Sequence, residues 1–348
     1  MGESVSTQTA SPAEDALPLV NTQEFVRDLL FQSHTVLPKE LDVDFSRVLG
    51  KGSNNTVYRA TWNGTPAVFR VPRRGSDTQQ RGSAKWECMA AMIAAENDAG
   101  PALYRVWHAR HTTRIGRESL PCGLYMVGEY FEHDLEAAMY SLEHRDLMTE
   151  KSEVIASKLA DCLRSLSAQG ILVYDLKLSN VVIRIPTACF PPDGDDDDGI
   201  VVRIIDFGKD FCECRMPSEV DVSTPIMDMT RRLVEQDFAR RGETHGESVV
   251  DSVTKHILYV AMLVQVGSTV SRQLYEDRRD HHMSRATRAN INGITRVVRS
   301  ELDNMQGSHR NLLRRVLRSD DVKGVLQHYN GKRNAGTKRT LRYAQEGA

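Results

Sequence analysis

The spacing of apolar and polar residues changes about one third of the way along the chain. Between 45 and 131 the apolar residues form short runs separated by Gly and Asn turns, which is typical of β-strands. One helical stretch interrupts these strands at 83–98, with Trp86, Met89 and Ile93 on one face. Beyond 132 the apolar period is helical in three long stretches, at 134–142, 151–168 and 249–266. A few strands, one helix and then mostly helices predict an α+β protein with two unlike lobes.

Turn signals locate the predicted strands and helices more closely. Asn63 followed by Gly64 is a strong signal for a two-residue hairpin, since both residues tolerate a positive φ. We expect a strand directly after it, at 67–71, and we expect Gly100 and Pro101 to end the helix. The sequence therefore divides into four segments: an N-terminal extension at 1–42, a strand-rich part at 43–131, a helical part at 132–325 and a basic tail at 326–348.

Composition constrains the class of protein and its location. Charged residues make up 26% and hydrophobic residues 40% of the 348 residues, as in a folded soluble protein. With 45 basic and 47 acidic residues the formal net charge is −2, so overall charge indicates no nucleic-acid partner. Six cysteines form no disulfide framework, and no stretch approaches the roughly 20 apolar residues of a membrane helix. Since a secretory signal is also absent, we expect an intracellular, cytoplasmic protein without a membrane span.

Three polar segments could carry chemistry, and the first is a glycine-rich turn at 49–57. In this turn Gly50 and Gly52 flank Lys51 between two predicted strands. Glycines let backbone amides approach phosphate oxygens without obstruction by a side chain. A tight hairpin would need the same glycines, so this turn alone does not decide between the two interpretations.

The second segment lies at 170–180, directly before an apolar run. It contains an acid, a lysine two residues later and an amide five residues later, namely Asp175, Lys177 and Asn180. Asp175 could deprotonate an attacking hydroxyl, and Lys177 could neutralise charge on a transferred phosphoryl group. Asn180 could bind a metal ion through its amide oxygen. A capped polar turn before a buried strand is the alternative.

The third segment places Asp206 at the end of an apolar run, followed by Phe207 and Gly208. An acid at the end of a strand can hold Mg²⁺ against the phosphates of ATP, although a simple strand-end turn is the alternative. Between the second and third segments lies an acidic run at 195–198. Four adjacent acids repel one another, so we expect a solvated surface loop there.

Taken in order, the three segments resemble the protein kinase superfamily over residues 45 to 210. The resemblance implies a two-lobed fold, with a small antiparallel sheet and one helix in the first lobe and a larger, mainly helical second lobe. It implies ATP with Mg²⁺ or Mn²⁺ as cofactors. It also implies transfer of the γ-phosphoryl group to a serine or threonine hydroxyl of a protein substrate.

The same resemblance assigns a role to each candidate residue. Gly50, Lys51 and Gly52 belong to the glycine-rich loop, Val57 packs on adenine, Arg70 takes the place of the phosphate-binding lysine, and Glu87 is its ion-pair partner. The backbone of Glu129 and Phe131 bonds adenine, and Asp134 reaches the ribose. Asp175 is the catalytic base, Lys177 contacts phosphate, and Asn180 and Asp206 are the metal ligands.

Departures from the kinase pattern leave two other functions open. Arg70 presents a planar fork where the family has a compact ammonium group, and the two are not interchangeable in a tight phosphate site. This change favours a pseudokinase that binds nucleotide or serves as a scaffold. No Ala-Pro-Glu sequence follows Gly208, which favours a small-molecule kinase on the same fold. Gly128, at the position that borders adenine, predicts an open pocket behind the base.

Overall fold

The computed structural model describes residues 37–51, 55–73, 79–109, 111–115, 118–173, 176–186, 199–208, 212–214, 225–277 and 285–319. Several predicted features lie outside these residues: most of the N-terminal extension, Gly52, Asp175, the acidic run at 195–198 and the basic tail at 326–348. The first part of the chain contains β1 (Leu41–Lys51), β2 (Asn55–Trp62), β3 (Thr65–Pro72), α1 (Gln79–Glu96), β4 (Leu103–Ala109), β5 (Thr113–Ile115), β6 (Glu118–Leu120) and β7 (Gly123–Glu129).

Helices predominate in the remainder of the chain. It contains β8 (His133–Asp134), α2 (Leu135–Tyr140), α3 (Arg145–Glu150), α4 (Ser152–Ala168), β9 (Ile171–Val173), a 3-10 turn (Leu178–Asn180), β10 (Val181–Arg184), β11 (Val201–Ile204), β12 (Cys212–Cys214), α5 (Pro225–Arg240), α6 (Glu247–Asp277), α7 (Arg285–Asn304) and α8 (Gly307–Arg318). The fold is therefore α+β with an antiparallel sheet, as the sequence predicts.

Five strands form the main sheet, in the order β1-β2-β3-β7-β4, and every pair in it is antiparallel. The hairpin between β2 and β3 follows from its two central residues. Asn63 (φ 49°) and Gly64 (φ 80°) are both left-handed, as a tight two-residue turn requires. The turn sets the register so that Trp62 lies opposite Thr65, which confirms the predicted hairpin.

The two faces of the sheet pack against different partners. On one face Phe69, Trp107 and Tyr125 stack with ring centroids 5.5 to 5.8 Å apart. On the other face α1 packs Cys88 and Met92 against the sheet in one buried cluster, together with Leu124 and Met126 of β7. Since side chains alternate along a strand, odd positions of β3 face the aromatic stack and even positions, including Arg70, face α1.

Helix α6 passes one test for a membrane span. Its segment Glu247–Ser268 is long and apolar enough to cross a membrane by length and composition, although the sequence predicts no such stretch. Half of an 18-residue apolar stretch within this segment is buried inside the protein, and Ile257, Tyr259 and Val260 are at most 2% exposed. These residues belong to the main hydrophobic core, so α6 is a core helix of this fold.

Helices α4 and α7 approach each other closely at Gly293. A Cβ atom at this position would lie 2.7 Å from the carbonyl oxygen of Ser152, at the start of α4. A backbone oxygen cannot rotate away as a side chain can. Any larger residue therefore pushes the two helices apart.

We predict that Gly293→Ala lowers the free energy of unfolding by roughly 1–3 kcal/mol, the usual cost of overpacking a close contact. The gain in helix propensity that Ala normally brings should be outweighed. Urea unfolding of the variant and the wild type would measure the difference. Gly307→Ala is the matched control, because no atom lies within 4 Å of a Cβ at that position. A Gly293→Ala protein as stable as the wild type would contradict the close approach.

Candidate functional site

The register of the main sheet brings three candidate residues side by side. Gly50 of β1 lies opposite Val57 of β2, and Val57 lies opposite Arg70 of β3. Adjacent strands are about 4.8 Å apart, so these three residues span only about 10 Å across the sheet. Val57 is half-buried, and Lys51, which pairs with Thr56, is exposed. Gly52 lies outside the described residues.

Arg70 forms an ion pair with Glu87 of α1, in which Nη1 of Arg70 lies against Oε1 of Glu87. The side chain of Glu87 is 6% exposed and that of Arg70 is 24% exposed. The positive charge of Arg70 and a hydrogen bond from its side chain both act on the Glu87 carboxylate, and the charge has the larger effect.

The pKa of Glu87 is affected by charged residues from two different parts of the chain. Burial raises the pKa of Glu87, because a carboxylate loses hydration in the interior. The positive charge of Arg70 opposes this increase in pKa, and the negative charge of Asp206 adds to it. The carboxylate of Asp206 therefore lies close enough to the Arg70–Glu87 pair to act on it.

Asn180 and Asp206 meet at one end of the β10–β11 hairpin, although 26 positions separate them in sequence. Val181 pairs with Ile204, and the backbone N–H of Ile205 donates to the carbonyl of Asn180 at 2.9 Å. The amide Nδ2 of Asn180 lies 3.5 Å from Oδ2 of Asp206. Asn180 is only 5% exposed, so this polar pair sits at the edge of the core.

Asp206 has an unusual backbone conformation, with φ at +72°. A left-handed conformation costs a non-glycine residue roughly 1–2 kcal/mol. Among the described non-glycine residues only Asn63 and Asp98 also have a positive φ, and both have local reasons. Asn63 forms the β2–β3 turn, and Asp98 lies two residues after the end of α1, where the N–H groups of the next two residues bond back to Ala94. Asp206 has neither reason, and strain without a local cause is typical of a functional site.

The second sequence segment is described except at Tyr174 and Asp175. Lys177 is half-buried. Its backbone carbonyl accepts a hydrogen bond from the N–H of Asn180 at 2.9 Å, which starts the 3-10 turn. Ahead of it, Val173 of β9 pairs with Cys212 of β12. This pairing joins the segment that follows Asp206 to the segment that precedes Lys177. Both polar segments are therefore connected to the same two-stranded sheet.

The connection at 129–131 contains two further candidates. The N–H of Glu129 donates to the carbonyl of Ala102 at 2.8 Å. Of the backbone groups of Glu129, only the carbonyl is therefore left to bond a nucleobase. Phe131 is 9% exposed. Asp134 caps α2, because its Oδ1 accepts a hydrogen bond from the N–H of Ala137 at 2.7 Å. Burial raises the pKa of Asp134, while the capping hydrogen bonds oppose the increase.

The space beside Gly128 is filled, contrary to the open pocket that the sequence predicts there. A Cβ atom at Gly128 would lie 3.0 Å from the carbonyl oxygen of Ala102 and 3.3 Å from Leu103. The missing side chain lets the chain before β4 approach β7. The glycine therefore serves backbone packing in this fold.

Two arginines that the sequence did not single out also contact the connection at 129–131. The guanidinium of Arg59 lies 3.3 Å from the ring centroid of Tyr130, and Arg184 pairs with Glu129. Arg184 ends an otherwise apolar strand. This change from apolar to charged residues is the one sequence feature that points to a specific contact of Arg184.

No family model matches the chain, and no curated protein matches it. Within the described part of the chain no three His, Cys, Asp or Glu side chains cluster as a metal site.

Proposed function

We propose that this chain is an ATP-dependent phosphotransferase of the protein-kinase type, which transfers the γ-phosphoryl group to a serine or threonine hydroxyl of an intracellular protein. The convergence of two polar pairs supports this function. Asn180 and Asp206 come from one hairpin, Arg70 and Glu87 come from the sheet and α1, and the charge of Asp206 acts on Glu87. A positive group beside a carboxylate–amide pair suits a polyphosphate carried by a divalent cation.

The chemistry of Asn180 and Asp206 fits Mg²⁺ or Mn²⁺. Both side chains offer oxygen ligands, which these hard cations prefer. Mg²⁺ commonly takes one or two protein carboxylates and completes its shell with water and phosphate oxygens, so a set of three acids is not required. When bound, the cation supplies charge neutralisation at the phosphates. Rotation of the Asn180 amide would turn its oxygen, rather than its nitrogen, towards Asp206.

Each remaining candidate has a proposed task in binding or transfer. Gly50 and Lys51 would lie over the phosphates, and Val57 would cover one face of the base. Arg70 would contact the α and β phosphates, held in place by Glu87. Lys177 would face the transferred group, Asp175 would orient and deprotonate the acceptor hydroxyl, and Asp134 would reach the ribose with its second oxygen. This scheme places the nucleotide between two lobes.

Transfer of radiolabel from ATP by the purified full-length chain tests this proposal. With Mg²⁺ present we expect the wild type to label a serine- or threonine-containing protein, and we expect Asp175→Asn to reduce the rate by at least about a hundredfold, the usual contribution of a general base. Asp251→Asn is the matched control, since Asp251 forms a half-exposed ion pair with Lys255 of the same helix at 2.9 Å. Equal labelling by Asp175→Asn and the control would refute the proposed base.

A nucleotide-binding module without transfer activity is the second candidate. One observation favours it: position 70 carries the planar guanidinium of an arginine where the kinase family has a compact ammonium group. ATP binding without any transfer to proteins or small molecules would support this module. Transfer to a small molecule but to no protein would instead indicate a small-molecule kinase.

A further inference from the structure

One side chain, Arg184, contacts all three residues of the 129–131 connection. Its Nη2 pairs with Oε1 of Glu129 at 2.5 Å and donates to the carbonyl of Tyr130 at 3.4 Å. Its guanidinium carbon lies 4.9 Å from the ring centroid of Phe131. The side chains of Arg184 and Glu129 are 18% and 17% exposed, so solvent screens their attraction only in part.

Glu129 also forms hydrogen bonds with Ala102, in the segment before β4. The second carboxylate oxygen of Glu129 accepts a hydrogen bond from the N–H of Ala102 at 3.0 Å. The N–H of Glu129 donates to the carbonyl of Ala102 at 2.8 Å. Arg184, Glu129 and Ala102 therefore form one chain of bonds, two of which involve a charged group and are correspondingly strong.

Strand β10 connects this chain of bonds to the proposed metal ligands. Asn180 directly precedes β10, and Arg184 is its last residue. At about 3.3 Å per residue, these two positions are roughly 13 Å apart. Within β10, Val181 and Ile183 are buried, while Val182 and Arg184 lie on the opposite, less buried face. Strand β10 thus connects Asn180, directly before its first residue, to Arg184, its last residue.

We propose that Arg184 is a positioning residue for nucleobase recognition. By holding Glu129, Tyr130 and Phe131 against β10, it fixes the backbone groups that bind the base relative to Asn180 and Asp206, which serve the phosphates. This inference rests on the proposed function, because it assumes an adenine nucleotide in the cleft. Arg184 itself does not touch the reacting atoms.

Ligands that share only part of ATP separate this role from a purely structural one. Calorimetric titration of the full-length chain with ATP, adenosine and inorganic triphosphate, each with Mg²⁺, measures the base and the phosphates independently. For Arg184→Ala we expect ATP and adenosine to bind about tenfold more weakly, the equivalent of one charge-assisted contact, with unchanged binding of triphosphate. Arg184→Lys keeps the charge but not the fork, so it should show a smaller loss, and it replaces Arg184→Ala if that variant does not fold.

Arg164→Ala is the matched control, because Arg164 bridges Tyr259 and Glu301 among the helices, each at 3.1 Å. It should change none of the three affinities. An equal loss for triphosphate and adenosine in Arg184→Ala, or no loss for either, would overturn the positioning role while leaving the proposed function intact. A wild-type chain that binds neither ATP nor adenosine would overturn the proposed function itself.

Discussion

Asp206→Gly is expected to abolish phosphoryl transfer without destabilising the protein. The carboxylate faces Asn180 at 3.5 Å and is the proposed metal ligand, so its loss removes several kcal/mol of charge stabilisation, or about a thousandfold or more in rate. Glycine, however, adopts a φ of +72° without the cost that a side chain brings. Activity and stability should therefore respond differently to the same substitution.

Comparison with alanine at the same position makes this prediction quantitative. Asp206→Ala removes the same carboxylate but keeps a Cβ in the left-handed conformation, so it should be about 1 kcal/mol less stable than Asp206→Gly. Both variants should be equally inactive in the radiolabel assay. Urea unfolding measures the difference in stability.

Asp98→Gly provides the matched control, because Asp98 is also left-handed, with φ at +54°. Its carboxylate lies 3.2 Å from Arg203 and is 90% exposed, away from Asn180. This variant should keep its transfer rate. If Asp206→Gly retained more than a tenth of the wild-type rate, the assignment of Asp206 as a metal ligand would be wrong.

Elements whose ends carry strong local signals were predictable from the sequence. The turn at Asn63 and Gly64 forms as expected, and α1 ends at Glu96, shortly before Gly100 and Pro101. In each case a residue with restricted or unusual backbone geometry sets the boundary, and this information is local.

Helix lengths were predicted less well, because hydropathy reports burial rather than helicity. The stretch expected at 249–266 is the longer helix Glu247–Asp277, whose last turns contain polar residues. The stretch expected at 134–142 ends earlier, at Tyr140, where Ser141 is extended and its N–H bonds back to Ala137 and Ala138. The polar residues that extend α6 and the early end of α2 do not alter the spacing of the apolar residues, so hydropathy does not reveal either of them.

Contacts between distant parts of the chain could not be predicted from local pattern. Arg184 and Glu129 are 55 positions apart, and the pairing of β9 with β12 involves strands of only three residues. Neither leaves a period or a turn signal in the sequence. Gly128 shows the same limit, since its neighbour Ala102 is brought close only by the assembled sheet.

Arg70→Met is expected to cost more stability at neutral pH than any surface substitution, since it leaves Glu87 charged and buried without its partner. Removal of one member of a buried ion pair typically costs about 3–5 kcal/mol, and the 24% exposure of Arg70 places this pair near the lower value. Arg231→Met is the control, because its partners Glu235 and Glu247 are 49% and 90% exposed. That variant should lose less than about 1 kcal/mol.

The dependence of this loss on pH identifies Glu87 as its cause. The pKa of Glu87 is raised in the folded protein above its ordinary value of 4.5, chiefly by burial, and loss of the Arg70 charge should raise it further. A carboxylate with a raised pKa binds its proton more tightly when folded, so the folded state loses stability as the pH rises through that pKa and regains it as the pH falls towards 4.5. Urea unfolding of Arg70→Met should therefore show a larger deficit at about pH 8 than at about pH 5. The double variant Arg70→Met/Glu87→Gln lacks the titrating group and should show an equal deficit at both pH values, whereas a pH-dependent deficit in the double variant would assign the effect to another residue.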